Sequence, residues 1–296
     1  LCGLVIFIVL GGLGHQKNGF ESRFTNEQLD LLAFSTHYKG RSERDYWNSS
    51  NKCYLIDLPF EEFDKRACFN RKFDDAPLTA LLIGDSHSGY LSEGLRPYLE
   101  SKNINLLQLS ISHCASLAKA KDDRCNKSLE TIKTIVKEQH VDTVIEFHTA
   151  GMEIYSDNPD NYFDEYIGNL KYISENVSKL YVVGQVPTYF PSLPSRLVSS
   201  KSNLSSERIA ITAVSEESKN AERHLRNLID TQNLNNVEYI SLFDELCDEN
   251  SCLIRAGGRA VENLINWDYG HLSENGARYI SEKLIGKKIL TEFELE

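Results

Sequence analysis

The chain has 296 residues, 41% of them hydrophobic and 25% charged, and a formal net charge of −11 at pH 7. That length and balance fit one large globular domain, or one domain with an appendage. The acidic charge argues against a nucleic-acid partner and against docking on an anionic membrane surface, and leaves neutral sugars and lipids open as substrates.

Residues 1–13 are almost wholly apolar, and His15, Gln16, Lys17 and Asn18 follow them. The run is shorter than the roughly 20 residues that a membrane-crossing helix takes. It has no polar face, no preceding basic residue and no small-residue cleavage site, which weighs against the competing readings of a buried helix and a signal-peptide core. Residues 1–14 are therefore expected to be the end of a transmembrane segment. Residues 15–75 mix Gly19, Gly40, Asn51, two cysteines and scattered aromatics without a clean period, and read as a linker and an irregular cap region. The main domain is expected over 76–288, with a tail at 289–296.

Within that domain the spacing predicts strands at 78–84, 104–109, 141–147, 180–186 and 237–242. Helices are expected at 90–99, 129–138 and 162–175, then a long amphipathic helix at about 206–231. Pro187, Pro191 and Pro194 hold the stretch between the fourth strand and that helix as a long loop. Ser273 is placed to cap a final helix reaching about residue 287. Strands alternating with helices make an α/β fold with a central parallel sheet of about five strands. Ligands bind such sheets beyond the carboxyl ends of the strands.

Of seven cysteines, Cys2 lies in the apolar run, which leaves Cys53 and Cys68, Cys114 and Cys125, Cys247 and Cys252. Six cysteines allow about 15 connectivities. The even count and the clustering point to three sequence-local bridges in an oxidising, extracytoplasmic compartment; buried free thiols are the alternative. Close C-x-x-C pairs flanked by histidines, the mark of a structural zinc site, do not occur.

The first strand runs into Gly84-Asp85-Ser86-His87-Ser88-Gly89, where a turn lifts the Ser86 hydroxyl above the sheet edge. A serine needs a base to take its proton. Trp267-Asp268-Tyr269-Gly270-His271-Leu272-Ser273 supplies one near the other end of the chain, with Asp268 spaced to meet one imidazole nitrogen of His271. Ser86, His271 and Asp268 thus read as a catalytic triad. A lone G-D-S or a lone D-x-x-H is common by chance, but one ends the first strand and the other precedes the last helix. Asp85 and His87 read as supports of the turn rather than reacting groups. Ser88 occupies the place of the second glycine in a G-x-S-x-G elbow, so the turn is not of that type. Asp85-x-His87 also matches the start of a metallophosphoesterase pattern, which needs further ligands where only His148 and His271 stand. No metal is expected. Tyr189 and Phe190, among the prolines, are candidates to line a sugar site.

This combination resembles the SGNH, or GDSL-like, hydrolase superfamily, whose first block is G-D-S and whose last is D-x-x-H. The resemblance spans about residues 76–288. The finer pattern is similar to SGNH domains fused after an acyltransferase family 3 membrane domain: Gly84-Asp85-Ser86-His87, then Asp268 to Ser273 followed by Gly276, with the pairs Cys114–Cys125 and Cys247–Cys252. It implies a three-layer α/β/α, flavodoxin-like SGNH fold and a serine-dependent O-acyltransferase, acting through an acyl-Ser86 intermediate. The acceptors implied are sugar hydroxyls of cell-surface polysaccharide, lipopolysaccharide or peptidoglycan. It also implies an acetyl group relayed by an acyltransferase family 3 domain upstream in the same chain, no bound cofactor, and membrane attachment on the extracytoplasmic side. A carbohydrate O-acetylesterase and a catalytically inactive glycan-binding domain are the alternatives. The superfamily's third block, G-x-N-D, is replaced here by Glu146-Phe147-His148-Thr149-Ala150-Gly151, so the usual oxyanion-hole asparagine is missing. The expected oxyanion donors are the backbone N–H of Ser86 and, by position, that of Ser112; His148, at a strand end, reads first as a hydrogen-bonded loop residue and only second as a contributor.

Overall fold

Strands covered on both faces read as unbroken apolar runs, with the covering helices between them. The computed structural model, which describes residues 2–16, 19, 21–48, 53–114, 117–149, 161–200 and 204–293, folds that pattern into eight strands. They are β1 (Tyr54–Leu55), β2 (Thr79–Gly84), β3 (Asn105–Ile111), β4 (Thr143–Phe147), β5 (Lys179–Val183), β6 (Arg208–Ala210), β7 (Val237–Ile240) and β8 (Ser251–Leu253). Six of them form a parallel sheet in the order β1-β3-β2-β4-β5-β7. Without the two-residue edge strand β1, this is the doubly wound order 2-1-3-4-5, with the direction of winding changing at β2. The five expected strands are all present, and β1 adds a sixth from the stretch read as irregular.

The helices are α1 (Cys2–Gln16), α2 (Asn26–Asn48), α3 (Lys65–Cys68), α4 (Ser86–Glu100), α5 (Asp123–Glu138), α6 (Tyr162–Ser174), α7 (Leu193–Ser199), α8 (Glu216–Asp230), α9 (Leu242–Leu246), α10 (Glu274–Ile280) and α11 (Gly286–Phe293). No helix among the described residues is long and apolar enough to cross a membrane. One face of the sheet buries Leu81, Ile83, Leu107 and Val144 against Ile132 and Ile135 of α5, Tyr166 and Leu170 of α6, and Leu225 of α8. The other buries Leu82, Leu106, Ile145 and Phe147 against Leu91 and Leu95 of α4 and Ala277 and Ile280 of α10. The result is a three-layer α/β/α domain.

Two stretches differ from expectation. The helix expected over 206–231 starts only at Glu216, where the Ser215 side chain accepts the N–H of Ser218. The residues before it form β6, which pairs antiparallel with β8, and Arg208 is bonded to both Asp248 and Ser251. That pairing outweighs the helical period. Residues 26–48, read as aperiodic, form the long helix α2. Its start is a reciprocal cap, with Thr25 N donating to Gln28 Oε1 (2.9 Å) and Gln28 N to Thr25 Oγ1 (3.3 Å). Leu31 and Tyr38 anchor it: Leu31 packs with Leu193 and Leu197 of α7, and Tyr38 stacks on Trp267. Disulfides join Cys53 to Cys68, Cys114 to Cys125 and Cys247 to Cys252.

Candidate active site

The register brings Gly84 level with Ser110 of β3 and Phe147 of β4, so the carboxyl end of the central strand is flanked on both sides. Gly84 has φ +146°, and a Cβ there would lie 1.8 Å from the Phe147 carbonyl oxygen. Only glycine fits that approach, and it lets β2 turn directly into α4. Asp85 caps the helix. Its Oδ1 accepts the N–H of His87 (2.8 Å) and its Oδ2 the N–H of Thr149 (3.0 Å), tying the turn to the loop after β4. Burial pushes the Asp85 carboxyl above its ordinary value. Ser86 is then the first residue of α4, where backbone N–H groups are unsatisfied by the helix and the macrodipole is positive. The Ser86 N–H has no partner among the described residues.

The base is positioned by a loop wound around one carboxylate. Asp268 Oδ1 accepts the N–H groups of Gly270 (2.9 Å) and His271 (2.8 Å), and its Oδ2 lies 2.7 Å from His271 Nδ1. Asn266 Nδ2 donates to Gly270 O, and Trp267 N to His271 O, which closes the loop. Ser273 then caps α10 through the N–H of Gly276, as its place in the sequence predicts. His271 Nε2 stands 2.8 Å from Ser86 Oγ. A carboxylate accepts but does not donate, so the assigned tautomer carries its proton on Nδ1 and leaves Nε2 to receive the serine proton. The three side chains expected to act together are thus brought into one hydrogen-bonded line. His271 is stacked against Trp267 (centroids 5.7 Å apart), with Tyr90 at 4.9 Å and the edge of Tyr269 at 5.1 Å.

The other expected site residues have different fates. Ser112 N donates to Leu55 O of β1 (2.9 Å) and Ser112 Oγ accepts from Asp57 N (3.3 Å). Its N–H belongs to the edge of the sheet, which corrects its expected part in an oxyanion hole. His148 places Nδ1 2.6 Å from Glu146 Oε1, and Glu146 Oε2 accepts the hydroxyl of Tyr166 (3.0 Å), a buried network at the end of β4. Ala150 and Gly151 of the third block lie outside the described residues. His87 is 2% exposed, and neither of its ring nitrogens has a partner among the described residues. Burial, and then the neighbouring His271 and His148, hold its pKa well below 6.5, so the ring is neutral. Among the described residues no group of three or more His, Cys, Asp or Glu side chains is arranged to hold a metal ion.

One site residue has no signal in the sequence. Tyr54, on β1, lies beside the Ser86 side chain, and burial keeps its phenol protonated far above neutral pH. Its ring lies against Gly89 of α4, where any Cβ would come within 2.6 Å. A two-residue strand has no readable period, and only its pairing with β3 brings this phenol toward Ser86.

A doubly wound sheet that presents a serine from the turn after its central strand, and an Asp-x-x-His before its last helices, defines a domain of the SGNH, GDSL-like class. The chain belongs to the family of SGNH domains fused to AT3 domains, whose model matches residues 52–285. Its structure is similar to the periplasmic domain of a lipopolysaccharide acetyltransferase from Salmonella ser. Paratyphi A, with 20% identity over 90% of this chain and 100% of that one, and a TM-score of 0.65. A GDSL-like lipase from Bacteroides thetaiotaomicron also matches, at 12% identity over 79% of this chain and 98% of that one, with a TM-score of 0.49. So does the C-terminal catalytic domain of Streptococcus pneumoniae peptidoglycan O-acetyltransferase A, at 13% identity over 73% of this chain and 94% of that one, with a TM-score of 0.37. No curated protein matches the chain in sequence.

Proposed function

We propose that this domain is a serine-dependent O-acyltransferase, acetyl being the expected group, which esterifies sugar hydroxyls of a cell-surface polysaccharide, lipopolysaccharide or peptidoglycan. The observation that carries this reading is the continuous line from Asp268 Oδ2 through His271 to Ser86 Oγ, with contacts of 2.7 and 2.8 Å. In the first half-reaction His271 Nε2 takes the Ser86 proton as Oγ attacks the carbonyl carbon of an acyl donor. The negative charge that forms on the carbonyl oxygen is stabilised by the Ser86 N–H at the start of α4. The tetrahedral species collapses to acyl-Ser86, and the donor's oxygen leaves with the proton from His271. In the second half, an acceptor hydroxyl gives its proton to His271 and attacks the acyl-serine; Ser86 leaves and recovers the proton. Asp268 stabilises the imidazolium formed in both halves.

The donor is an acetyl group relayed by an AT3 membrane domain of the same protein, a partnership supported by the family to which the chain belongs. Three disulfides suit an oxidising, extracytoplasmic compartment. Water in place of the sugar would make the same groups an esterase. The test supplies an activated acetyl ester to the protein with and without glycan. Acetylated glycan is the expected product, whereas free acetate alone would make it the esterase. Ser86→Ala should lower ester cleavage by at least about 10³-fold and abolish labelling by a fluorophosphonate. A wild-type protein that resists the probe would instead be a glycan-binding domain without catalysis.

A further inference from the structure

Among the described residues only four large apolar side chains are strongly exposed. Phe7, Leu10 and Leu13 belong to α1, and the fourth is Phe190 at 57%. Phe190 stands one ring removed from the candidate base. Its ring lies parallel to that of Tyr269, with centroids 5.8 Å apart and planes 13° apart, and Tyr269 in turn meets His271 edge-on at 5.1 Å. The segment that presents it is held firmly. Tyr189, its neighbour, is fully buried and donates its N–H to Tyr269 O (2.8 Å), Leu193 N donates to Asp268 O (3.1 Å), and Arg196 Nη2 donates to Phe190 O (2.6 Å). Nothing in that arrangement requires an aromatic ring to face water. A pre-ordered, exposed ring costs little further entropy when a ligand settles on it.

We propose that Phe190 and Tyr269 form the platform on which a pyranose ring of the acceptor stacks, a subsite that rests on the transferase reading of Ser86 and His271. The acceptor is the substrate whose hydroxyl must reach His271 Nε2, and the platform adjoins that imidazole. A sugar ring presents a flat face of C–H groups that packs on an aromatic face without needing a counter-charge, which suits a neutral acceptor on a chain of net charge −11. A transferred acetyl group is too small to use two parallel rings, so the platform serves the acceptor and not the acyl moiety.

The experiment compares two acceptors competing for the acyl-enzyme formed from p-nitrophenyl acetate: methyl glucoside, which has a pyranose face, and glycerol, which has hydroxyls but no ring. The wild-type protein is expected to acetylate the glucoside in preference to glycerol. Phe190→Ala and Phe190→Leu are expected to lower that preference by roughly five- to tenfold, and Phe190→Tyr to retain it. Release of p-nitrophenol without acceptor monitors the integrity of the triad in each variant. The platform is overturned if the wild type shows no preference for the glucoside, or if the preference survives in Phe190→Ala. It is also overturned if that variant loses ester cleavage and transfer by the same factor, since the ring would then serve only the fold. A wild-type protein that releases no p-nitrophenol would overturn the transferase reading itself, and the subsite with it.

Discussion

His87 packs against both His271 and Phe147 while its two ring nitrogens go unpaired among the described residues. A histidine in an unfolded chain takes up a proton near pH 6.5. Burial, first, and the neighbouring His271 and His148 deny His87 that proton in the folded chain until the pH is well below that value. As pH falls through about 6.5 the unfolded state therefore binds one proton more than the folded state, and stability falls with it. Asp85 works in the opposite direction: its raised carboxyl binds a proton in the folded state before it would in the unfolded one, so it adds stability at the acidic end. The net change is separated by a variant. Urea unfolding at about pH 7.5 and about pH 5.5 should show a drop in midpoint for the wild type, and His87→Leu should reduce that drop; an unchanged drop would mean that His87 is protonated in the folded chain. At this scale Ser86, Asp268 and His271 were legible because each sits at a recognisable punctuation of the chain, a strand end or the loop before a helix. Tyr54 was not, because a phenol in an aperiodic stretch acquires its neighbour only through a strand pairing remote in sequence. Ser112 was expected as a donor from its place directly after β3, but Leu55 of β1 takes its N–H.

Between β2 and α4 the whole turn depends on one residue without a side chain. Gly84→Ala would place a methyl group 1.8 Å from the Phe147 carbonyl, against backbone that pairs with β2 and cannot move aside alone. The expected cost is about 3 kcal/mol or more, read as a lower urea midpoint, together with a loss of ester cleavage as Ser86 is displaced from His271. A midpoint within error of the wild type would show that the turn relaxes freely. Strands β2 to β5 were legible at this scale because they are largely apolar runs, as burial on both faces demands. The helix boundaries were less so. The Thr25-x-x-Gln28 cap at the head of α2 was present in the sequence, but the polar residues between Leu31 and Tyr38 obscured the stripe that packs on α7 and Trp267. Conversely the amphipathic stretch before α8 is diverted into β6 by a partner, β8, some forty residues further on.

Over the whole molecule, each disulfide closes a short loop, and none links the part carrying Ser86 to the part carrying His271. Those parts are held together by packing. At its tightest point α4 and α10 meet backbone to backbone, where a Cβ on Gly94 would come within 2.3 Å of Ala277. On the chain-entropy model, removing the Cys53–Cys68 bridge, with a separation of 15, should cost about 3 kcal/mol, and removing Cys247–Cys252, with a separation of 5, about 2 kcal/mol. The first pair also anchors β1, so Cys53→Ala/Cys68→Ala should lower ester cleavage as well as the urea midpoint through the loosening of Tyr54. Cys247→Ala/Cys252→Ala should lower the midpoint more than the activity. Equal losses of activity in the two variants would argue against a part for Tyr54 at the nucleophile.

The bond between Ser86 and His271 spans 185 positions, and that separation has a meaning in time as well as in space. The Gly84 turn can form once β2, β3 and β4 have paired, yet the hydroxyl it presents is then an ordinary alcohol. On the proposed mechanism it becomes reactive only when the segment around α10 docks, and closing so long a loop is entropically costly. On that mechanism a chain without this contact would be inert toward esters, and one that shed α10 would become so again while most of its sheet stayed intact. Chemical competence is in this way a property of the finished molecule, withheld from its incomplete forms.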